Sequence, residues 1–170
     1  MGKRNSSSEL THVSPRGQAR MVSVENKAVT KRTARAEAWV AVGAAVARML
    51  RRSGGVAKGN VIETARIAGI MAAKRTAELI PMCHPLGVDS IEVDAALVGN
   101  SVRIESKVCC EGRTGVEMEA MTAVAVAALT VYDMVKSAGK GVEIGPVRLL
   151  EKSGGKSGRW LREGEPDGQA

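Results

Sequence analysis

The chain has 170 residues, 44% apolar and 25% charged, with a formal net charge of +7, two Trp, one Tyr and no Phe. That size and balance suit one globular domain with a real core, built here from Ala, Val, Ile, Leu and Met. The charge suits an anionic partner, either nucleic acid, an anionic membrane face or a phosphate-rich small molecule. The shortage of rings argues against a single-strand binder that stacks bases on aromatic side chains.

The opening MGKRNSSSEL is polar, carries no apolar secretory core, and is expected to be disordered over 1–9. The stretch ARMVSVENKAVTKRTARAEAWVAV alternates in strand fashion, both at MVSV and from Lys27 onward. GAAVARMLRR, ending at Ser53-Gly54-Gly55, predicts a helix closed by its glycines. KGNVIETARIAGIMAAKRTAELIP predicts a second helix, with Asn60 as N-cap, Glu63 three residues on, and Pro81 as terminator. Gly69 costs such a helix about 1 kcal/mol relative to alanine, so a close-packing role is expected for it.

PMCHP follows as a stiff connector, because both prolines resist regular secondary structure. IEVDAALV and SVRIESKVC then predict a hairpin turning at Gly99-Asn100. RTGVEMEAMTAVAVAALTVYDMVKSAGKG predicts a long helix, acidic at its start and basic at its end, and apolar on nearly every side. EIGPVRLL predicts a last strand, and residues 159–170 a flexible tail. Strands and helices without a βαβ rhythm indicate an α+β fold, an antiparallel sheet with helices on one face. The apolar run Ala120 to Tyr132 is too short to span a bilayer. Cys83, Cys109 and Cys110 form neither a disulfide scaffold nor a zinc pattern. A cytoplasmic protein with no membrane partner is expected.

Several constellations can carry chemistry. His84 is one of two histidines and stands beside Cys83 between prolines, which suits display toward a cleft or a satisfied structural turn, but not spaced zinc ligands. Asp133 and Lys136 share a helix face, as a solvated ion pair or as a partly desolvated acid/base pair. Glu117 and Glu119 lie at a helix start, where the dipole alone favours carboxylates. EKSGGKSG fails as a phosphate loop because Leu150 stands where a glycine is needed, leaving a Lys- and Gly-rich flap. Lys58 precedes a helix start that can receive an anion.

LTHV, KGNVIETARIAGIMAAKRTAELIPMCHPL, TGVEMEAMTAVAVAALTVYDMVK and IGPVRLLEKSGGKSG together closely resemble the MoaC family, over about residues 10–158, as a single catalytic domain. The resemblance implies a ferredoxin-like fold and a homo-hexamer, a trimer of dimers with its site at the dimer interface. It implies a lyase, cyclic pyranopterin monophosphate synthase of molybdenum cofactor biosynthesis. Such an enzyme converts 3′,8-cyclised dihydro-GTP, made by a radical SAM GTP cyclase, to the cyclic pterin and pyrophosphate.

By position, the resemblance assigns Asp133, Lys136, Lys58 and His84 as catalytic. It assigns Met82, Cys83, His84, Glu117, Met118 and Arg32 to substrate binding, with Lys152 and Lys156 in the flap. No metal site or resident cofactor is implied, though the triphosphate permits Mg2+. The basic balance is then explained without nucleic acid. The family's usual Asp after Lys-Gly is Asn60 here, which still caps a helix. A nucleic-acid module and a non-catalytic scaffold stand as the competing classes.

Overall fold

The computed structural model describes residues 17, 18, 20–53, 55, 56 and 59–165. The polar 1–9 segment, Lys58 and the last five residues lie outside them. The described elements are β1 (Thr30–Ala41), α1 (Gly43–Ser53), β2 (Gly55–Val56), β3 (Gly59–Asn60), α2 (Val61–Lys74), α3 (Thr76–Leu79), β4 (Ser90–Val98), β5 (Ser101–Gly112), α4 (Glu117–Val135), β6 (Glu143–Ser153) and β7 (Trp160–Leu161).

The main sheet runs β4-β5-β1-β6-β7, and every neighbouring pair is antiparallel. Leaving out the short pieces, the chain reads strand, two helices, two strands, helix, strand, with the first strand between the third and fourth in the sheet. This is the ferredoxin-like α+β arrangement. The β4–β5 hairpin turns at Gly99, whose φ of 57° is the left-handed value a tight turn needs.

Small residues dictate how the layers meet. Ala34, Ala36, Ala38 and Val40 of β1 point to one face and are fully buried. Ala120, Ala123, Val124, Ala127 and Ala128 of α4 are equally buried in the same core. With alanine on both sides, helix and sheet approach closely, so the core needs no large ring. Ser106 of β5 donates its hydroxyl to the Ala120 carbonyl at 2.8 Å, tying the sheet to the first turn of α4.

Asn60 caps α2 as expected, its Oδ1 accepting from the Glu63 N–H at 3.1 Å. Gly69 has the packing role expected: a Cβ there would lie 3.0 Å from the Ala123 carbonyl oxygen and 3.3 Å from the Ala127 Cβ.

Three expectations change. The helix predicted up to Pro81 breaks at Arg75, because the Thr76 hydroxyl takes the Ala73 carbonyl at 3.0 Å and the chain restarts as α3. MVSV forms no strand; residues 20–24 run outside the sheet. The tail expected from 159 is structured at first, since β7 pairs with β6 and the Arg162 N–H donates to the Leu150 carbonyl at 2.8 Å.

The sheet face away from the helices is paved with charge. Glu37, 1% exposed, accepts from Arg103 Nε at 3.0 Å and Arg148 Nε at 2.8 Å. Arg35 joins Glu105 to Glu151. Burial pushes the Glu37 carboxyl upward, but hydrogen bonds from Arg148, Arg103 and Trp39 outweigh it and hold the group below its ordinary value.

Candidate active site

Two adjoining cavities open at the start of α4 and share Lys27, Thr114, Gly115 and Glu117. The first, about 680 Å³, is cationic, with Lys27, Arg32, Arg113, Lys152 and Lys156 in its wall. The second, about 350 Å³, is walled by Met82, Cys83, His84, Met118 and Glu119, with Val22 and Val24 facing them. Cavities of these sizes suit a nucleotide-sized ligand.

Arg32 stands near the start of β1, and its guanidinium donates to the Gly112 and Arg113 carbonyls, both at 3.4 Å. The turn after β6 lies flat against it: Gly154 and Gly155 have φ of 101° and 69°, and a Cβ on Gly155 would collide with the guanidinium. A Cβ on Gly154 would strike the Lys31 carbonyl, so the paired glycines let the flap lie close against β1 as well as giving it pliancy. Lys152, near the end of β6, meets Glu117 with Nζ to Oε1 at 3.0 Å, at the junction of the two cavities.

His84 lies in the connector after α3, where the Cys83 N–H donates to the Ile80 carbonyl at 3.0 Å and fixes the turn. Its Nε2 is 2.9 Å from the Val22 carbonyl oxygen. Beneath it, Glu119 is 4% exposed, and burial together with the Glu117 charge raises its carboxyl above the ordinary range. Burial raises the Cys83 thiol as well, with Glu119 adding to it, so Cys83 is a wall residue and a poor nucleophile at neutral pH.

Of the residues singled out in the sequence, Arg32, Met82, Cys83, His84, Glu117, Met118, Lys152 and Lys156 line this double cleft. Asp133 and Lys136 do not. They sit at the opposite end of α4, 16 residues beyond Glu117, which is roughly 24 Å along a helix. The desolvation open to Asp133 at the sequence level is not found within one chain: both side chains are 56% exposed, paired at 2.7 Å. Asp133 raises the Lys136 ammonium through that hydrogen bond and its charge.

Lys58 lies outside the described residues, between the paired Val56 and Gly59. Lys27 was missed in the sequence. Glu119 was read there only as a helix-start carboxylate. The signal for Glu119 was its place in the buried stripe Val116, Ala120, Ala123, Ala127, a position where a solvated carboxylate does not belong. Among the described residues no three His, Cys, Asp or Glu side chains stand together as a metal-binding group.

Residues 21–155 match the MoaC family. The chain belongs to that family. Three MoaC relatives carry the name cyclic pyranopterin monophosphate synthase. The protein of Streptomyces avermitilis is 56% identical over 153 residues, 90% of this chain and 89% of its own. That of Thermomicrobium roseum is 54% identical over 157 residues, 91% of this chain and 94% of its own. That of Methylobacterium sp. (strain 4-46) is 54% identical over 158 residues, 91% of this chain and 97% of its own. The MoaC match takes in the walls of both cavities except Lys156 and Ser157, and it includes the distant Asp133–Lys136 pair.

Proposed function

We propose that the protein is a cyclic pyranopterin monophosphate synthase, a lyase acting in the cytoplasm that turns 3′,8-cyclised dihydro-GTP into the cyclic pterin and pyrophosphate. The observation that carries this reading is the junction of a lysine- and arginine-lined cavity with a smaller one holding His84 and a buried Glu119. A triphosphate suits the first cavity, where Lys27, Arg32, Lys152 and Lys156 offset the charge that grows as pyrophosphate leaves. The base suits the second, between Met82 and Met118. A carboxyl with a raised pKa, such as Glu119, can donate to a ring oxygen or nitrogen as the neutral acid. The substrate is the product of an upstream radical SAM GTP cyclase, and any Mg2+ comes with its phosphates.

Asp133, the acid/base for ring opening and closure, and Lys136 enter this cleft from a second copy. Two features support that arrangement. The pair stands too far along α4 to serve its own cleft, and the outer surfaces of α2 and α4 expose Ile67 and Met71, and Leu129 and Tyr132, respectively. Apolar side chains so placed suit burial between subunits. The assembly is a hexamer, a trimer of dimers, with Lys58 adding to the phosphate side.

The deciding experiment incubates the protein with enzymatically made 3′,8-cyclised dihydro-GTP and follows cyclic pterin by mass and pyrophosphate by coupled assay. Stoichiometric release of both is expected. Unchanged substrate in the presence of correctly assembled protein would overturn the reading.

A further inference from the structure

Residues 20–29 run outside the sheet and wall both cavities: Val22 and Val24 face the His84 side, Asn26 and Ala28 the cationic side, and Lys27 both. A turn closed by the Lys27 N–H on the Val24 carbonyl, at 3.0 Å, holds this strap in shape. The strap is joined to the opposite wall by the contact of His84 Nε2 with the Val22 carbonyl oxygen at 2.9 Å. A carbonyl oxygen has no proton to give, so Nε2 must carry one in the neutral and the charged imidazole alike. Neutral His84 then keeps its lone pair on Nδ1.

We infer that the Val22 carbonyl is a positioning group that holds His84 as the Nε2–H tautomer and makes Nδ1 the ring nitrogen through which His84 exchanges a proton with substrate. The inference rests on the pterin-forming reading and assigns that reading an atom. In the forward transfer, the Nδ1 lone pair takes a proton from a substrate N–H or O–H, and the electrons of that bond stay on the substrate atom. The resulting imidazolium still donates Nε2–H to Val22. Return of the proton from Nδ1 to a second substrate atom restores the neutral ring, so no outside acid, base or oxidant is needed. Cys83, Glu117, Glu119 and Lys27 line the same cavity, yet the atom bonded to Nε2 belongs to the backbone, which has no titration to switch the tautomer. Because Lys27 walls both cavities, one continuous piece of chain seats phosphates and aligns the imidazole.

The chain has two histidines, so nitrogen-15 histidine labelling of the full protein gives two imidazole patterns, and His12→Gln identifies which is His84. At about pH 8, where an ordinary imidazole is neutral, long-range proton–nitrogen spectra should show His84 with hydrogen on Nε2 and an unprotonated Nδ1. Hydrogen on Nδ1, or two averaged nitrogens, overturns the inference.

The second arm is turnover. His84→Gln places an amide N–H near the Nε2 position and nothing at Nδ1. It should keep KM within about threefold while kcat falls about a hundredfold or more, the usual scale of lost acid–base catalysis. A kcat within threefold of wild type overturns the inference. Failure of the wild-type protein to release pyrophosphate counts instead against the pterin reading, while the spectrum of the resting protein still decides the tautomer.

Discussion

Glu37 and Glu119 are both nearly closed to solvent, and their surroundings push them in opposite directions. Glu37 is held below its ordinary value by two arginines, so its share of stability is full above the unfolded carboxyl value of about 4.3 and is lost as pH falls through the lower folded value. Glu119 is raised by burial. Its native form holds a proton that the unfolded chain has released, so it favours the fold at low pH and ceases to as pH rises through the folded value. Glu37→Gln should therefore cost about 2 kcal/mol at neutral pH, since charge-assisted hydrogen bonds are lost, and flatten the acid limb of a melting-temperature profile. Glu119→Gln should melt higher than wild type at pH 7 yet turn over far more slowly, a trade visible by pairing thermal melts with pyrophosphate release. Asp133→Asn, by contrast, should reduce kcat by about 10²–10⁴, read as pyrophosphate release.

At the level of elements, α2 and α4 touch through Gly69, where a Cβ would meet a backbone oxygen, Val93 and Ala127 within 3.0–3.3 Å. Gly69→Val should destabilise by about 2–3 kcal/mol through overpacking, despite removing a glycine from a helix, and chemical denaturation would register it. Much of this layer was legible beforehand. Alternation marked β1, β4, β5 and β6, Asn60 and Glu63 marked the start of α2, and the small residues around Gly69 announced a close neighbour. What escaped were features decided by partners remote in sequence. MVSV alternates like a strand, but β1 is already flanked by β5 and β6, and Val22 gives its carbonyl to an imidazole 62 positions away. The break at Arg75 depends on a threonine hydroxyl turning back on its own helix. The flap glycines were visible as composition, whereas their contact with Arg32 required the β1–β6 pairing to bring residues 32 and 155 together.

For the molecule as a whole, motif order in the sequence assigned Asp133, Lys136 and His84 to one reaction through the family resemblance, but only the folded chain reveals that α4 separates Asp133 from the cleft by most of its length. If two subunits complete each site, inactive variants should rescue one another. Mixing His84→Gln with Asp133→Asn, after exchange of subunits, should restore about a quarter of wild-type activity, because half of the random dimers regain one intact site of two. No recovery after verified exchange would place both residues in the same subunit's site.

The charge-paved sheet face has a consequence for how fast the protein meets its ligand. There four arginines (35, 103, 148, 159) are paired with four glutamates (37, 105, 151, 165), so this network adds no net charge to that surface. Five cations, by contrast, ring the larger cavity, where Glu117 is the one carboxylate among the described residues of the wall. A polyanion diffusing nearby is drawn to the opening and not to the back, and the capture rate should fall steeply as added salt shortens the reach of that attraction.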